Sequence, residues 1–331
     1  MDKITISVAV ATYNGERYIE QQIQSIVDQT VKVNEIVISD DGSADNTLLI
    51  IRNMQKKYAE KTDIDITVLD DNIRHGPCGN FEHAIRHCSG DYIFLCDQDD
   101  IWAPDKVKFV VETFYVNKWA ECVFHDAILI DKENIDIKGM FMRNKYPAGK
   151  LSRDLFLETS VSGPIINGMV MCVSKRLVEK AMPFPKCTNF HDQWLAFCAL
   201  CMDGLFFLPK KLTYYRLHGA NFSGNSAYKG NMIDRIRKLL NKPKWSISLF
   251  YDNYYMGRAI CDHLEKMELT DTGAYDISKR LIDIGQKNME AFDSPKIIGF
   301  FKLLKLFITD MRFRRIGLNS FLSQLMCIIL K

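Results

Sequence analysis

The sequence predicts an α/β fold: a mixed, mostly parallel sheet with helices on both faces, followed by a helical extension. Three observations predict it. Strand-like and helix-like segments alternate through the first half of the 331 residues. Each of the first four strands runs into a polar cluster. After about Gly219 the alternation gives way to basic, amphipathic patterning. An order βαβαβαβ needs crossover connections, which lay successive strands parallel.

Taken in order, Ile4–Val10 is a β-rich run. In Arg17–Gln29, Tyr18, Ile19, Ile23, Ile26 and Val27 recur at helical spacing. Glu35–Ser39 reads as strand, Asn46–Tyr58 as helix, Ile64–Leu69 as strand, Phe81–Cys88 as helix and Tyr92–Cys96 as strand. The second half is less regular. Cys122–Ile130 and Asn167–Val173 read as strands, Trp194–Met202 as a buried helix, and Leu205–Leu208 and Leu212–Leu217 as two further strands. Residues 229–244 and 296–315 are basic and helix-like, so the chain divides into a domain over 1–223 and a helical, basic extension over 224–331.

Composition bounds the function. Lys and Arg total 43 against 41 Asp and Glu, a net charge of +2, which argues against a dedicated nucleic-acid binder. The ten cysteines form no regular framework. Cys198 and Cys201 make a C-x-x-C inside an apolar helix, and no second pair stands at zinc spacing. Met1-Asp2-Lys3 leads directly into a strand rather than a signal-peptide pattern. No apolar run approaches the roughly 20 residues that span a bilayer. A cytoplasmic chain with reduced thiols is expected.

Ligands of open parallel sheets bind outside the carboxyl ends of the strands. The polar clusters fall there: Thr12-Tyr13-Asn14-Gly15, Asp40-Asp41-Gly42-Ser43, the stretch from Asn72 to Asn80, and Asp97–Asp100. In the last, Asp97, Asp99 and Asp100 occupy three of four positions. Carboxylates this close raise one another's energy unless a cation sits among them, and hard oxygen ligands suit Mg²⁺ or Mn²⁺. The same residues also read as a turn and helix cap, with Pro104 in the first turn of a helix. Four consecutive strand-end clusters on one edge favour a site over four unrelated turns.

Here the residues match a family. Ser7 to Gly15, then Ile38-Ser39-Asp40-Asp41-Gly42-Ser43, then Asp97-Gln98-Asp99-Asp100 resemble family-2 glycosyltransferases of the GT-A fold, as do His191-Asp192-Gln193-Trp194 and Tyr215 to Asn221. Wording and order are most like the bacterial rhamnosyltransferase-like branch. The resemblance implies a catalytic domain over 1–223. The loop Thr12, Tyr13, Asn14 and the Asp41 carboxylate would hold the nucleobase and ribose of a nucleotide-sugar donor (a dTDP- or UDP-sugar). Asp97 would lie near the ribose or metal, Asp99 would be the principal Mg²⁺ or Mn²⁺ ligand, and His218 a further metal or diphosphate contact. Asp192 matches the base of inverting members, although His191 departs from the residue usually ahead of it.

The chemistry suits these residue types. A departing nucleoside diphosphate gains negative charge, which a metal neutralises, and an attacking hydroxyl needs a carboxylate base. Asp192 also reads as a plain helix N-cap. Arg74, in a loop with Asn72, His75 and Gly76, is placed to pair with a phosphate or base, and Trp102 and Trp194 are either sugar-stacking or core aromatics. Residues 296–331 interleave Lys296, Lys302, Lys305, Arg312, Arg314, Arg315 and Lys331 with apolar residues against the single acid Asp310. That pattern suits an interfacial helix on anionic lipid.

The expected function is an inverting, metal-dependent transfer of a sugar, L-rhamnose from dTDP-rhamnose, to a glycan or polyprenyl-linked acceptor in bacterial surface-polysaccharide synthesis. The expected location is the cytoplasmic face of the plasma membrane. A sugar nucleotidyltransferase would carry a Gly-rich basic phosphate loop, and Thr12–Arg17 offers one glycine and one arginine. A non-catalytic scaffold would not need both Asp99 and Asp192.

Overall fold

Strand β1 (Ile6–Thr12) shows why the sheet forms. Val8, Ala9 and Val10 are wholly buried, a continuous apolar run of the kind that parallel strands covered on both faces carry. Burying each such side chain contributes about 1.5–3 kcal/mol. The computed structural model describes residues 4–71, 73–137, 146–152, 166–185, 191–218 and, discontinuously, parts of 254–303.

After β1 come α1 (Ile19–Val27), β2 (Glu35–Asp40), α2 (Thr47–Ala59), β3 (Asp65–Leu69), α3 (Gly76–Arg86), β4 (Tyr92–Asp97), β5 (Ile101–Trp102) and α4 (Lys106–Val116). Then follow β6 (Cys122–Ile130), β7 (Gly149–Lys150), a 3₁₀ turn (Gly168–Val170), β8 (Met171–Ser174), α5 (Lys175–Ala181), α6 (His191–Cys201) and β9 (Leu205–Arg216). The sheet order is β3-β2-β1-β4-β8-β6-β9-β5, with β7 paired to β9. The strands β3, β2, β1 and β4 are parallel, β8 runs antiparallel to both β4 and β6, and β6 pairs parallel with β9. The fold is the expected mixed α/β sheet.

Register sets the site. Thr12 lies opposite Asp40, and Ala11 opposite Asp97, so three strands deliver their polar ends to one level. The antiparallel pairing of β5 with β9 puts Ile101 opposite Tyr214 and turns the end of β9 toward the β4–β5 turn.

Three expectations change. Helix α3 begins at Gly76, not Phe81, so the stretch from Asn72 to Asn80 is half loop and half helix. Gly76 takes a left-handed φ of 72° and Pro77 stands in the first turn, where its fixed φ and missing N–H are tolerated. The two segments at 205–208 and 212–217 join into the single strand β9. Pro209, Lys210 and Lys211 are exposed within it, opposite a register shift at His125–Ala127 that absorbs the irregularity. The segment Asn167–Val173 is a 3₁₀ turn before a short strand, rather than strand throughout.

The chain forms two compact units. The first comprises Met1–Leu151, Ile166–Phe184 and Thr188–Ala227, and the second the remainder. Within the second unit, the helical residues 254–255, 257–259 and 261–266 lie against α7 (Gly273–Asp293). A Cβ on Gly257 would stand 2.9 Å from the Ile282 side chain, and one on Gly285 2.5 Å from the backbone of Tyr254, so glycine is what allows the approach. The basic segment 229–244 and most of 296–331 lie outside the described residues. Among the described residues no helix is long and apolar enough to cross a membrane.

Candidate active site

The β1–α1 and β2–α2 loops are locked together by side chains. Thr12 Oγ1 donates to Asp40 Oδ1 at 2.9 Å, and Asp40 Oδ2 accepts from the Ser43 N–H at 2.7 Å. Asn14, at a left-handed φ of 49°, donates its N–H to Ser43 Oγ and accepts from the Ala44 N–H, both at 2.8 Å. Asp41 is buried, and its Oδ1 accepts the N–H groups of His75 and Gly76 at 2.6 and 3.1 Å. Its Oδ2 stands 3.9 Å from Arg74 Nε, and the exposed Arg74 guanidinium lies 4.5 Å over the Tyr13 ring. Tyr13, Asp41 and Arg74 thus form one wall: an aromatic face, a carboxylate and a cation.

Gln98 connects this wall to the acidic motif. Its Oε1 accepts from the Tyr13 N–H at 2.8 Å and its Nε2 donates to the Tyr13 carbonyl at 3.0 Å. Beside it, His218 Nε2 stands 2.8 Å from Asp99 Oδ2, with the imidazole ring 5.2 Å from that of Tyr18. Burial, then the charges of Asp99 and Asp192, push the Asp97 carboxyl up to about 7. Asp100 is raised by burial and by both neighbouring carboxylates, and its Oδ2 is buried without a hydrogen-bond partner. A largely buried carboxylate cluster, with an imidazole on one member, is a donor set that a divalent cation fits.

Two buried cations frame the cluster from beneath. Arg216 donates its N–H to Asp100 Oδ1 at 3.0 Å and its Nε to the Asp99 carbonyl at 2.7 Å. The same guanidinium reaches the Asp131 carbonyl, Asn134 and Gln21. Asp100 is therefore an anchor for the end of β9, not the cap of a following helix. Lys106, fully buried at the start of α4, donates to the Met169 carbonyl at 2.8 Å and Thr213 Oγ1 at 3.0 Å. Burial lowers its pKa to about 8 against the opposing pull of Cys96, Asp100, Cys172 and Asp97.

Asp192 lies in the first turn of α6. Its Oδ1 accepts from the Gln193 N–H at 2.7 Å and its Oδ2 from the Gly168 N–H at 3.1 Å. Those bonds lower its pKa, but burial outweighs them and sets it at about 6. A carboxylate poised there is ionised at neutral pH yet basic enough to accept a proton. Its effect on Asp97 puts it within electrostatic reach of the acidic motif.

Thr12, Tyr13, Asn14, Asp41, Arg74, Asp97, Asp99 and His218 thus share one strand-end edge, and Asp192 acts electrostatically on Asp97 from the start of α6. Arg74 stands at the Tyr13 and Asp41 wall. Trp102 and Trp194 are both core, and the Trp194 Nε1 donates to the Ala181 carbonyl. Sequence reasoning missed Gln98, Arg216 and Lys106. Lys106 was findable: it is four residues before Val110, on the apolar face of α4.

A mixed, mostly parallel sheet whose strand-end loops join an aromatic–carboxylate wall to an Asp-x-Asp cluster has the architecture of the GT-A fold. The chain belongs to glycosyl transferase family 2: the family profile matches residues 7–163, and the dTDP-rhamnosyl transferase RfbG of Shigella flexneri is 30% identical over 66% of this chain and 77% of its own. A GalNAc(5)-diNAcBac-PP-undecaprenol β-1,3-glucosyltransferase of Campylobacter jejuni is 30% identical over 48% of this chain and 49% of its own length. Among solved structures, the mannosyltransferase PcManGT of Pyrobaculum calidifontis, in complex with GDP-Man and Mn²⁺, superposes with a TM-score of 0.55 at 16% identity, covering 99% of this chain and 87% of that one. The protein is a glycosyltransferase.

Proposed function

We propose that this glycosyltransferase inverts configuration at the anomeric carbon, using Asp192 as its base. The observation that carries the reading is Asp192 itself: a buried carboxylate at the start of α6 whose pKa burial raises to about 6 and whose charge in turn raises that of Asp97. The acceptor hydroxyl oxygen forms the new bond to the anomeric carbon and passes its proton to Asp192. The bond from that carbon to the diphosphate oxygen breaks, and the nucleoside diphosphate leaves with the electron pair. Tyr13, Asp41 and Arg74 hold the nucleoside. The Thr12 and Asn14 hydrogen bonds fix the loop that carries Tyr13.

Asp97, Asp99 and His218 would hold the divalent cation, Mg²⁺ or Mn²⁺. When bound, it would neutralise the charge that the leaving diphosphate acquires. Arg216 holds the Asp99–Asp100 end of the turn through the Asp100 carboxylate and the Asp99 carbonyl.

For the donor we favour dTDP-rhamnose, on the likeness to the Shigella enzyme. For the acceptor we favour a polyprenyl-diphosphate-linked glycan in bacterial surface-polysaccharide synthesis, as the name of the Campylobacter relative suggests. The exposed Ile297, Ile298 and Phe301 support contact with the cytoplasmic face of a membrane.

The test is a panel of nucleotide sugars incubated with Mn²⁺ while nucleoside diphosphate release is followed. Release from dTDP-rhamnose, lost in Asp99→Asn, is the expected outcome. Release only from another donor would remove the rhamnosyl assignment, and equal release without divalent cation would remove the metal. Pyrophosphate formed from a sugar phosphate and a nucleoside triphosphate would favour a nucleotidyltransferase instead.

A further inference from the structure

At the edge of the sheet, away from the acidic motif, Asp71, His75 and His83 form a separate group. Each offers one ligand atom, and all three atoms lie within 4.8 Å of one another. His75 Nε2 stands 3.0 Å from Asp71 Oδ2 and His83 Nε2 stands 3.9 Å from the same oxygen. A tetrahedral Zn²⁺ with bonds of about 2.0–2.1 Å separates its ligands by about 3.3 Å. The observed pair distances bracket that value. The imidazoles lie with centroids 4.6 Å apart and planes inclined by 31°, already gathered on one side of the carboxylate.

The surroundings favour ligation over a surface ion pair. Ser39 Oγ, at the end of β2, lies 3.0 Å from His83 Nδ1. With the hydroxyl accepting the Nδ1–H, the tautomer is fixed and the Nε2 lone pair is turned toward Asp71. Such an outer partner is the usual companion of a metal-bound imidazole.

We propose that Asp71, His75 and His83 bind a borderline divalent transition-metal ion, Zn²⁺ foremost, at a site distinct from the Asp97–Asp99 cluster. Two imidazole nitrogens and one carboxylate oxygen suit Zn²⁺, whereas Mg²⁺ prefers oxygen alone. Asp97, Asp99 and Asp100 do not belong to the group. Its role is a clamp: one ion would tie the β3–α3 loop at Asp71 to the first and second turns of α3. Cysteine spacing gives no sign of such a site, because no cysteine is in the ligand set.

The full chain, stripped of metal, is dialysed against Zn²⁺ in excess Mg²⁺. One equivalent of Zn²⁺ per chain is expected for the wild type and for Asp99→Asn alike. His75→Gln and His83→Gln should each weaken binding at least tenfold, and Ser39→Ala by about 10–100-fold, with folding checked by circular dichroism. Co²⁺ in place of Zn²⁺ should give ligand-field bands without a thiolate charge-transfer band. Absence of stoichiometric binding, full affinity in the His75→Gln/His83→Gln double variant, or a thiolate band would each overturn the site. Since the readout is metal content, its failure leaves the glycosyltransferase reading untouched.

Discussion

Asp192 shows how one side chain reconciles two uses. It accepts backbone N–H groups as a helix-start carboxylate does, which lowers its pKa, and burial reverses the effect to about 6. As a base it must be ionised, so kcat/KM is expected to fall as pH drops through about 6. Asp192→Asn should keep donor affinity and lose about 10²–10⁴-fold in kcat; unchanged turnover would falsify the base assignment. Gly15 is the second residue with a sharp consequence. A Cβ there would stand 2.3 Å from Gln98 Oε1. In Gly15→Ala the Gln98 amide must swing away and give up both hydrogen bonds to Tyr13, at about 1 kcal/mol each. Nucleotide affinity, followed by calorimetry, should fall severalfold with only a small drop in Tm. These residues differ in legibility. Asp97 and Asp99 stand out because clustered carboxylates demand a partner, whereas Asp192 reads locally as a plain N-cap and stands out only through the family resemblance. Gln98 does not, because nothing local reveals that its amide reaches 85 residues back to Tyr13.

At the scale of elements, β9 does what no single loop does. Its pairing with β5 and β6 carries Arg216 and His218 across to a turn more than a hundred residues earlier. Arg216 then holds Asp99, Asp100, Asp131, Asn134 and Gln21 together from a fully buried position. Replacing it with leucine removes the guanidinium bonds to the half-buried Asp99 and Asp131 carbonyls, each unsatisfied acceptor costing about 1–3 kcal/mol, while the backbone bond to Asp100 remains. Arg216→Leu is expected to lower stability by about 3 kcal/mol or more in urea titration and to weaken Mn²⁺ binding in parallel. Intact Mn²⁺ affinity in a destabilised variant would show that Arg216 supports only the fold. Helix α3 makes a related point about legibility. Gly76 and Pro77 read locally as breakers, yet the left-handed φ at Gly76 and the fixed φ at Pro77 start the helix that positions His75, His83 and the N–H groups bonded to Asp41.

At the scale of the whole chain, the second unit carries the exposed apolar residues Ile297 (74% exposed), Ile298 (51%) and Phe301 (61%). Their exposure in a basic sequence is what an interfacial segment presents to anionic lipid, with the lysine and arginine charges adding to the apolar contact. The full chain is expected to co-sediment with anionic vesicles and release at high salt. Ile297→Ser/Phe301→Ser should reduce the bound fraction severalfold without changing turnover on a soluble acceptor analogue. Equal binding by that variant would place any membrane contact elsewhere.

The sequence by itself determined the α/β class and pointed to the strand ends as the place of a site, because hydrophobic periodicity marks strands and helices locally and their alternation implies crossover connections. It also marked most of the carboxylates, since like charges close in sequence are costly without a partner. Only the tertiary structure decided which groups offset that cost. The join of β9 through Pro209, the burial of Lys106 and Arg216 beneath the acidic turn, and the meeting of Asp71 with His75 and His83 all depend on contacts between distant segments or on the path of a loop. No periodicity in the chain encodes those contacts, because burial and pairing at long range are set by how the whole sheet packs.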